Sequence, residues 1–374
     1  MSEAYEMQVA TVEEAHGAEV MVNVLAIQHN VKVFKDMDAK LMAVIKNNGY
    51  GMGLVEYARI LLRAGADALA VGSYAEAMEL RSRGVDEELL LLTPILSVAH
   101  LKKLIERKVT LVLGGVRQME CVLEAAALCH QRPRVHVAVD TGLGRYGFSP
   151  DELHRFISRA TEFDIEGTYT HFAAPYQDEV LTRKQFKLFK QCVNVLKNKG
   201  VSTGRLHCCA SGAALRFPEM RMDMIRIGSG LVGGVPEFYK YGLKKAWKLR
   251  APVLRIRWVK AGERPGYGAR TLLRRRTRVA VIAAGYADGI FMERTDQHIF
   301  RLAPVSWIRY TAKTLLYGLT VWINDEPAKV IGSVGANYFM VEADKLEIKE
   351  GDMVELKSNP ILLSQHLKRD YRFY

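Results

Sequence analysis

The chain lacks most of what a membrane or secreted protein needs. Across its 374 residues, no apolar run approaches the ~20 residues of a membrane span. The N-terminal stretch MSEAYEMQVATVEEAHGAEV is acidic and has no apolar signal segment, so the cytoplasm is the expected location. Cysteine is scarce: Cys121, Cys129, Cys192, Cys208 and Cys209, five in all, with no CxxC pair. Disulfides and a metal site are therefore not expected, and all five read as reduced core residues. On a strand, adjacent Cys208 and Cys209 would face opposite sides. No Ser/Gly-rich linker and no low-complexity segment is present. The net charge of +12 would suit nucleic acid, but the basic residues are spread widely. The densest run, RTLLRRRTR (270–278), has no aromatic interleaving and reads as a solvated loop. No nucleic-acid partner is expected; attraction of an anionic cofactor or substrate is a milder use of the charge.

What is present is alternation. Short apolar runs recur at 40–45, 67–72, 88–93, 109–113, 134–139, 165–171, 205–209 and 224–228. Near-continuous apolar strands are those of a parallel sheet covered on both faces. Helical patterns lie between them. Ser73 with Glu76, and Ser149 with Glu152 behind Pro150, read as capping boxes. Leu181, Phe189, Cys192 and Leu196 give another helix a buried stripe. Strand–helix alternation repeated eight times predicts an α/β fold, a (β/α)8 TIM-like barrel. After about Leu231 the pattern becomes strand-rich, and only LLSQHLKR near the end suggests a helix. The expected organisation is an extension over 1–17, a barrel over 18–245 and a mostly β domain over 246–374.

Barrel enzymes keep their chemistry at the C-terminal ends of the strands. Those ends carry Lys46, Arg145, His171, His207 with Ser211, and Arg226 followed by Gly228-Ser229-Gly230. A lysine at an apolar mouth suits bonding to an aldehyde, because desolvation leaves a nucleophilic amine. Backbone N–H groups of a Gly-rich turn suit a phosphate. Together they point to pyridoxal 5′-phosphate.

The same segments resemble the alanine racemase family. AVIKNNGYGMG (43–53) is similar to its AVxKANAYGHG, DTGLGRYGF (140–148) to DTGMGRLG, and MIRIGSGLVGG (224–234) to MVRPGIALYG. YTHFA (169–173) contains THFA, PGYGART (265–271) resembles SYGxTY, and AAGYADGI (283–290) resembles xxGYADGY. The likeness is collinear over roughly residues 18–340 and fades beyond. It implies a pyridoxal-phosphate racemase of a small amino acid, alanine or serine, working as a head-to-tail homodimer. Lys46 would be the cofactor's Schiff-base lysine and the base on one face of the substrate Cα. Tyr267 would be the second base, reaching in from the partner subunit. His171 and Arg226 would form a hydrogen-bond chain with it, since a tyrosine of ordinary pKa ~10 is a poor base unless its phenolate is stabilised. Arg226 would face the pyridine nitrogen, with His207 behind it. Tyr50, Ser211, Gly228 and Ser229 would hold the phosphate, Arg145 and Ala336 would meet the substrate carboxylate, and Tyr286 would support the site.

Several positions depart from the family pattern. A lysine that is carbamylated in many members is Ala138 here, so Arg145 is expected to need another anion. The family's GRVCMDQ becomes GSVGANY, and the usual tyrosine near the end is replaced by Asn359 or Pro360. A wider entrance predicts larger or more polar substrates, serine first. The alternatives are a racemase of larger or basic amino acids, a non-catalytic cofactor-binding protein, and a decarboxylase, which an arginine at the ring nitrogen disfavours.

Overall fold

The computed structural model describes residues 17–290 and 319–374. The expected extension, 1–17, lies outside the described residues except for Gly17. A first strand, β1 (Glu19–Asn23), leads into α1 (Val24–Lys35), capped by the Asn23 side chain, which accepts from the Ala26 N–H at 2.9 Å. Strand and helix then alternate as β2 (Lys40–Val44), α2 (Leu54–Arg63), β3 (Ala68–Val71), α3 (Tyr74–Ser82), β4 (Leu89–Leu91) and α4 (Val98–Glu106). They continue as β5 (Thr110–Leu113), α5 (Val116–Cys129), β6 (Arg134–Ala138), α6 (Leu153–Ile157), β7 (Asp164–Tyr169), α7 (Glu179–Asn198), β8 (Arg205–His207), α8 (Ser211–Arg216) and β9 (Met224–Ile227).

Strands β2–β9 form one eight-stranded parallel sheet, in the order β8-β7-β6-β5-β4-β3-β2-β9. The two end strands meet through separate bonds, Asp223 N–H to Leu206 O at 3.1 Å and Arg226 N–H to Cys209 O at 2.9 Å, so the sheet is a nearly closed barrel. Met42, Val44, Ala68, Ala70, Leu90 and Met224 pack into one cluster, with alternate residues of β2 and β3 on one side.

Local details correct the sequence reading in four places. The Ser149 segment starts as a 3₁₀ turn, Pro150–Glu152, and only then becomes the short α6. In α7, Leu181 is only partly buried, and Thr182 and Gln185 share the inner face with Phe189, Cys192 and Leu196. Gln185 is tied to the loop below, accepting from the Ala173 N–H at 3.0 Å, which explains a polar residue on that face. β8 ends at His207, so Cys208 and Cys209 do not alternate; both thiols donate to the Met220 carbonyl. All five cysteines are free, but Cys121 and Cys129 on α5 are half-buried rather than core.

The chain divides into two compact units. Asn23–Ala246 is the barrel, joined by Phe373–Tyr374, and the second comprises the described residues up to Val22 and those between Trp247 and Arg372. Most of β1, expected in the barrel, therefore belongs to the second unit, where it pairs antiparallel with β10 (Trp247–Val259). The rest of that unit is β11 (Thr277–Ile282), β12 (Thr320–Ile323), β13 (Glu326–Ile331), β14 (Phe339–Glu342), β15 (Met353–Leu356) and β16 (Lys368–Arg372). β10, β11, β14, β13, β12 and β15 close a ring of six antiparallel strands. LLSQHLKR is not a helix: a 3₁₀ turn, Pro360–Leu362, precedes β16.

Candidate functional site

Lys46 lies two residues past the end of β2, after Ile45. The alternation Met42, Val44 carries to Lys46, and its stem lies against Gly72, where a Cβ would come within 3.0 Å of the Lys46 Cβ. The four residues after Lys46 are left-handed: Asn47 at φ 54°, Asn48 at 53°, Gly49 at 64° and Tyr50 at 53°. A left-handed turn costs an ordinary residue about 1–2 kcal/mol, and Asn and Gly tolerate it best. That is the physical reason for the Asn-Asn-Gly composition. The turn is tied down from both sides: the Asn48 N–H donates to Glu76 at 3.2 Å, and the Asn48 side chain accepts from the Leu54 N–H at 2.8 Å.

Tyr50 is thereby carried to the end of β9. A Cβ on Gly228 would lie 2.3 Å from the Tyr50 hydroxyl, so only glycine fits. Burial pushes the Tyr50 phenol up to about 12, opposed by a hydrogen bond from the Ser229 backbone. The Ser211 hydroxyl accepts from the Gly230 N–H at 3.1 Å, and the Ser229 hydroxyl donates to it at 3.4 Å. Tyr50, Ser211, Gly228 and Ser229 thus lie together at the end of β9.

Arg226 is 3% exposed and donates to four acceptors. Its Nη1 meets His207 Nδ1 at 2.6 Å and His207 O at 3.0 Å; its Nη2 meets Thr170 O at 2.8 Å and His171 Nδ1 at 3.4 Å. Its guanidinium carbon also lies 4.7 Å from the centre of the Tyr169 ring. A guanidinium only donates, so it dictates the tautomers. His207 must accept at Nδ1 and carry its proton on Nε2, which points at His136 Nδ1, 2.8 Å away. His136 then carries its own proton on Nε2, which is buried with no hydrogen-bond partner among the described residues. Burial, with Arg205, Arg226 and Arg134 nearby, lowers His136 to about 3; burial, then Arg226, Arg145 and Lys46, lowers His171 to about 3. His207 is pushed well below the ordinary range by burial and by Arg226. All three imidazoles are neutral.

His136 and Tyr169 were not singled out from sequence. The available signal was strand period: His136 shares a face with Ala138 on β6, and Tyr169 shares one with His171. Glu88, His136 and Glu166 offer ligand atoms within 4.8 Å of one another, but Glu166 pairs with Arg134 at 2.5 Å and Glu88 with Arg205 at 2.6 Å.

A cavity lined by Ala138, Asp140, Arg145, Tyr146, Tyr169 and His171 opens beside this chain. Ala138 packs with Val112, Tyr169 and Tyr146. Tyr146 also provides the answer for Arg145, whose guanidinium carbon lies 4.5 Å from that ring's centre. Among the described residues Arg145 has a ring face where an anion was expected. Asp140 is structural: one carboxylate oxygen accepts from the N–H groups of Gly142, Leu143 and Gly144 at 2.9, 3.0 and 3.2 Å.

The second unit gathers its own predicted residues. Gly266 (φ 89°) and Gly332 (φ 71°) touch back to back, a Cβ on Gly266 falling 3.0 Å from the Gly332 Cα. This seats Tyr267, whose carbonyl accepts from the Ser333 N–H at 3.1 Å. Tyr286 N–H donates to Gly335 O and Ala287 N–H to Ala336 O, both at 3.1 Å. Tyr267, Tyr286 and Ala336 therefore form one cluster around the 332–338 loop.

Barrel rim and β unit together define an α/β-barrel enzyme with an appended β domain. Comparison with known proteins makes the assignment specific. The alanine racemase N-terminal domain profile matches residues 22–236, and the C-terminal domain profile matches 246–367, well beyond the point where the motif likeness fades. The alanine racemase of Desulforamulus reducens is 38% identical over 280 residues, 72% of this chain and 75% of that protein. That of Halalkalibacterium halodurans is 31% identical over 353 residues, 90% of this chain and 84% of that protein. The solved alanine racemase of Clostridium difficile superposes with a TM-score of 0.83 at 26% identity, covering 95% of this chain and 96% of that one. The chain belongs to the alanine racemase family and is an amino-acid racemase dependent on pyridoxal 5′-phosphate. The described residues fit that cofactor, with a lysine at the mouth, and a Gly228 surface that a side chain would fill.

Proposed function

We propose that this chain interconverts L- and D-alanine, and serine as a second substrate, by two bases on opposite faces of the substrate Cα. Lys46 holds the cofactor and exchanges the proton on one face; Tyr267 of the partner subunit exchanges it on the other, in a head-to-tail homodimer in the cytoplasm. Tyr50, Ser211, Gly228 and Ser229 hold the phosphate, and Arg145 and the Ala336 N–H meet the substrate carboxylate. His207 positions Arg226, His171 and Arg226 form a hydrogen-bond chain with Tyr267, and Tyr286 supports the loop that carries Ala336. The bound cofactor supplies the electron sink that loosens the Cα proton.

Arg226 carries this reading. Four acceptors surround a guanidinium that stays charged at any working pH, so a ring nitrogen beside it receives no proton and the sink stays weak. A weak sink favours simple return of the proton over decarboxylation. Tyr267 being 62% exposed on its own unit is consistent with service to a second chain. Among the described residues no helix is long and apolar enough to cross a membrane.

A chiral assay over a panel of L-amino acids tests the proposal. Alanine and serine should racemise, and both Lys46→Ala and Tyr267→Phe should lose at least about 10²-fold in rate. The enantiomers are equal in energy, so kcat/KM must stay equal in the two directions. Asymmetry in Tyr267→Phe is read from kcat and KM separately. Inert serine would remove the second substrate, and a fully active Tyr267→Phe would remove the second base.

A further inference from the structure

The hydroxyl of Tyr267 has a neighbour that the proposed chemistry has not yet used. The Tyr338 hydroxyl donates to it at 2.8 Å, and the two rings lie 6.0 Å apart, tilted by 30°. Backbone geometry brings Tyr338 there. The Gly335 N–H donates to the Tyr338 carbonyl at 2.9 Å, closing a tight turn over residues 335–338. A Cβ on Gly335 would sit 2.9 Å from that same carbonyl oxygen and 3.9 Å from the Tyr267 ring, so glycine at 335 lets the turn fold down over Tyr267. The loop is anchored at Tyr267 O, Tyr286 N and Ala287 N, so Tyr338 is pinned to the segment it faces.

We propose that Tyr338 is a positioning residue for Tyr267: its O–H fixes the lone pairs of the Tyr267 oxygen and stabilises that oxygen when it is anionic. This rests on Tyr267 being the second base. A donor aimed at a developing phenolate strengthens as negative charge appears, which lowers the barrier for proton removal. The bond to Tyr267 raises the pKa of Tyr338, in keeping with its place as the donor. The other titratable or charged side chains on the touching segments are Tyr286, Asp288, Arg264 and Arg270. Among the described residues none of them is hydrogen-bonded to the Tyr267 hydroxyl. Asp288 is occupied in capping the Gly285 N–H at 2.7 Å, and Arg264 donates to Ala269 O at 3.2 Å.

Tyr338→Phe removes the donor and keeps the ring, at an exposed position where folding is not at stake. In the holoenzyme, the acid limb of kcat/KM against pH should move up by about one unit, an equivalent loss of about tenfold on that limb. The Tyr267 signal of ¹³Cζ-tyrosine-labelled protein, assigned by its loss in Tyr267→Phe, should titrate later by the same amount. An unmoved profile and an unmoved signal would overturn the role of Tyr338. Tyr267→Phe separates the two ideas. If it is fully active, the second base itself is wrong; if it is inactive while Tyr338→Phe titrates like the parent, only the Tyr338 inference fails.

Discussion

A side chain's neighbours, more than its type, decide what it does at this rim. Asn48 shows this most directly. It occupies a left-handed backbone and its side chain accepts from the Leu54 N–H, starting α2 just after the Lys46 turn. Asn48→Ala should cost about 1–2 kcal/mol, from the lost cap and the lost left-handed preference. The same variant should bind pyridoxal 5′-phosphate more weakly, read by thermal melting of the cofactor-free protein and by cofactor titration in absorbance. The histidines give a pH dependence. An unfolded imidazole titrates near 6.5, whereas native His136 is held to about 3. Stability from this group is therefore complete above 6.5 and is lost as pH falls through the window toward 3, at up to about 1.4 kcal/mol per pH unit. His136→Asn should flatten urea-unfolding stability against pH between 6 and 4 by roughly 1 kcal/mol per unit. An unchanged slope would mean that His136 is not buried neutral.

Among the elements, α3 does two jobs through one carboxylate. Glu76 accepts from the Gly72 and Ser73 N–H groups at 3.0 and 3.1 Å, and Ser73 accepts from the Glu76 N–H at 3.2 Å, the expected capping box. Its other oxygen accepts from Asn48, so the helix start and the Lys46 turn share an anchor. The two residues of the box should therefore separate in experiment. Ser73→Ala should lower stability by about 1 kcal/mol with cofactor affinity unchanged. Glu76→Ala should lower stability by about 1–3 kcal/mol and also weaken cofactor binding, because it frees Asn48. Equal cofactor affinity in both variants, measured by the same titration, would show that the turn holds itself.

For the whole molecule, the division into a barrel and a β unit separates the proposed bases, Lys46 on one and Tyr267 on the other. If the partner subunit supplies Tyr267, inactive Lys46→Ala and Tyr267→Phe chains should complement each other. Mixing them in equal amounts after dissociation makes half the dimers hybrid, each with one intact site, so roughly a quarter of the parent activity should return. No recovery, with hybrids demonstrated by native mass spectrometry, would place both bases in one chain.

Much of this molecule was legible from residue order, because local chemistry determines it. Apolar runs spaced by capped helices specify a parallel barrel whatever surrounds them, and all eight runs became β2–β9. The switch to alternating strands after the barrel was equally local. Lys46, Arg226 and the Gly228 turn were readable because strand ends are where a barrel displays reactive groups. What escaped was set by contacts distant in sequence. β1 joins the second unit because its partner, β10, begins more than two hundred residues later. LLSQHLKR carries a helical pattern, yet its last residues pair as β16 at the edge of a sheet. The His136 proton was assigned through His207 by Arg226, and Tyr338 reached Tyr267 through a turn that Gly335 permits. The sequence by itself determined the elements and the family of chemistry, since both follow from neighbours along the chain. Only the tertiary structure decided tautomers, ring contacts and the partner of the Tyr267 hydroxyl, because those depend on which side chains meet in space.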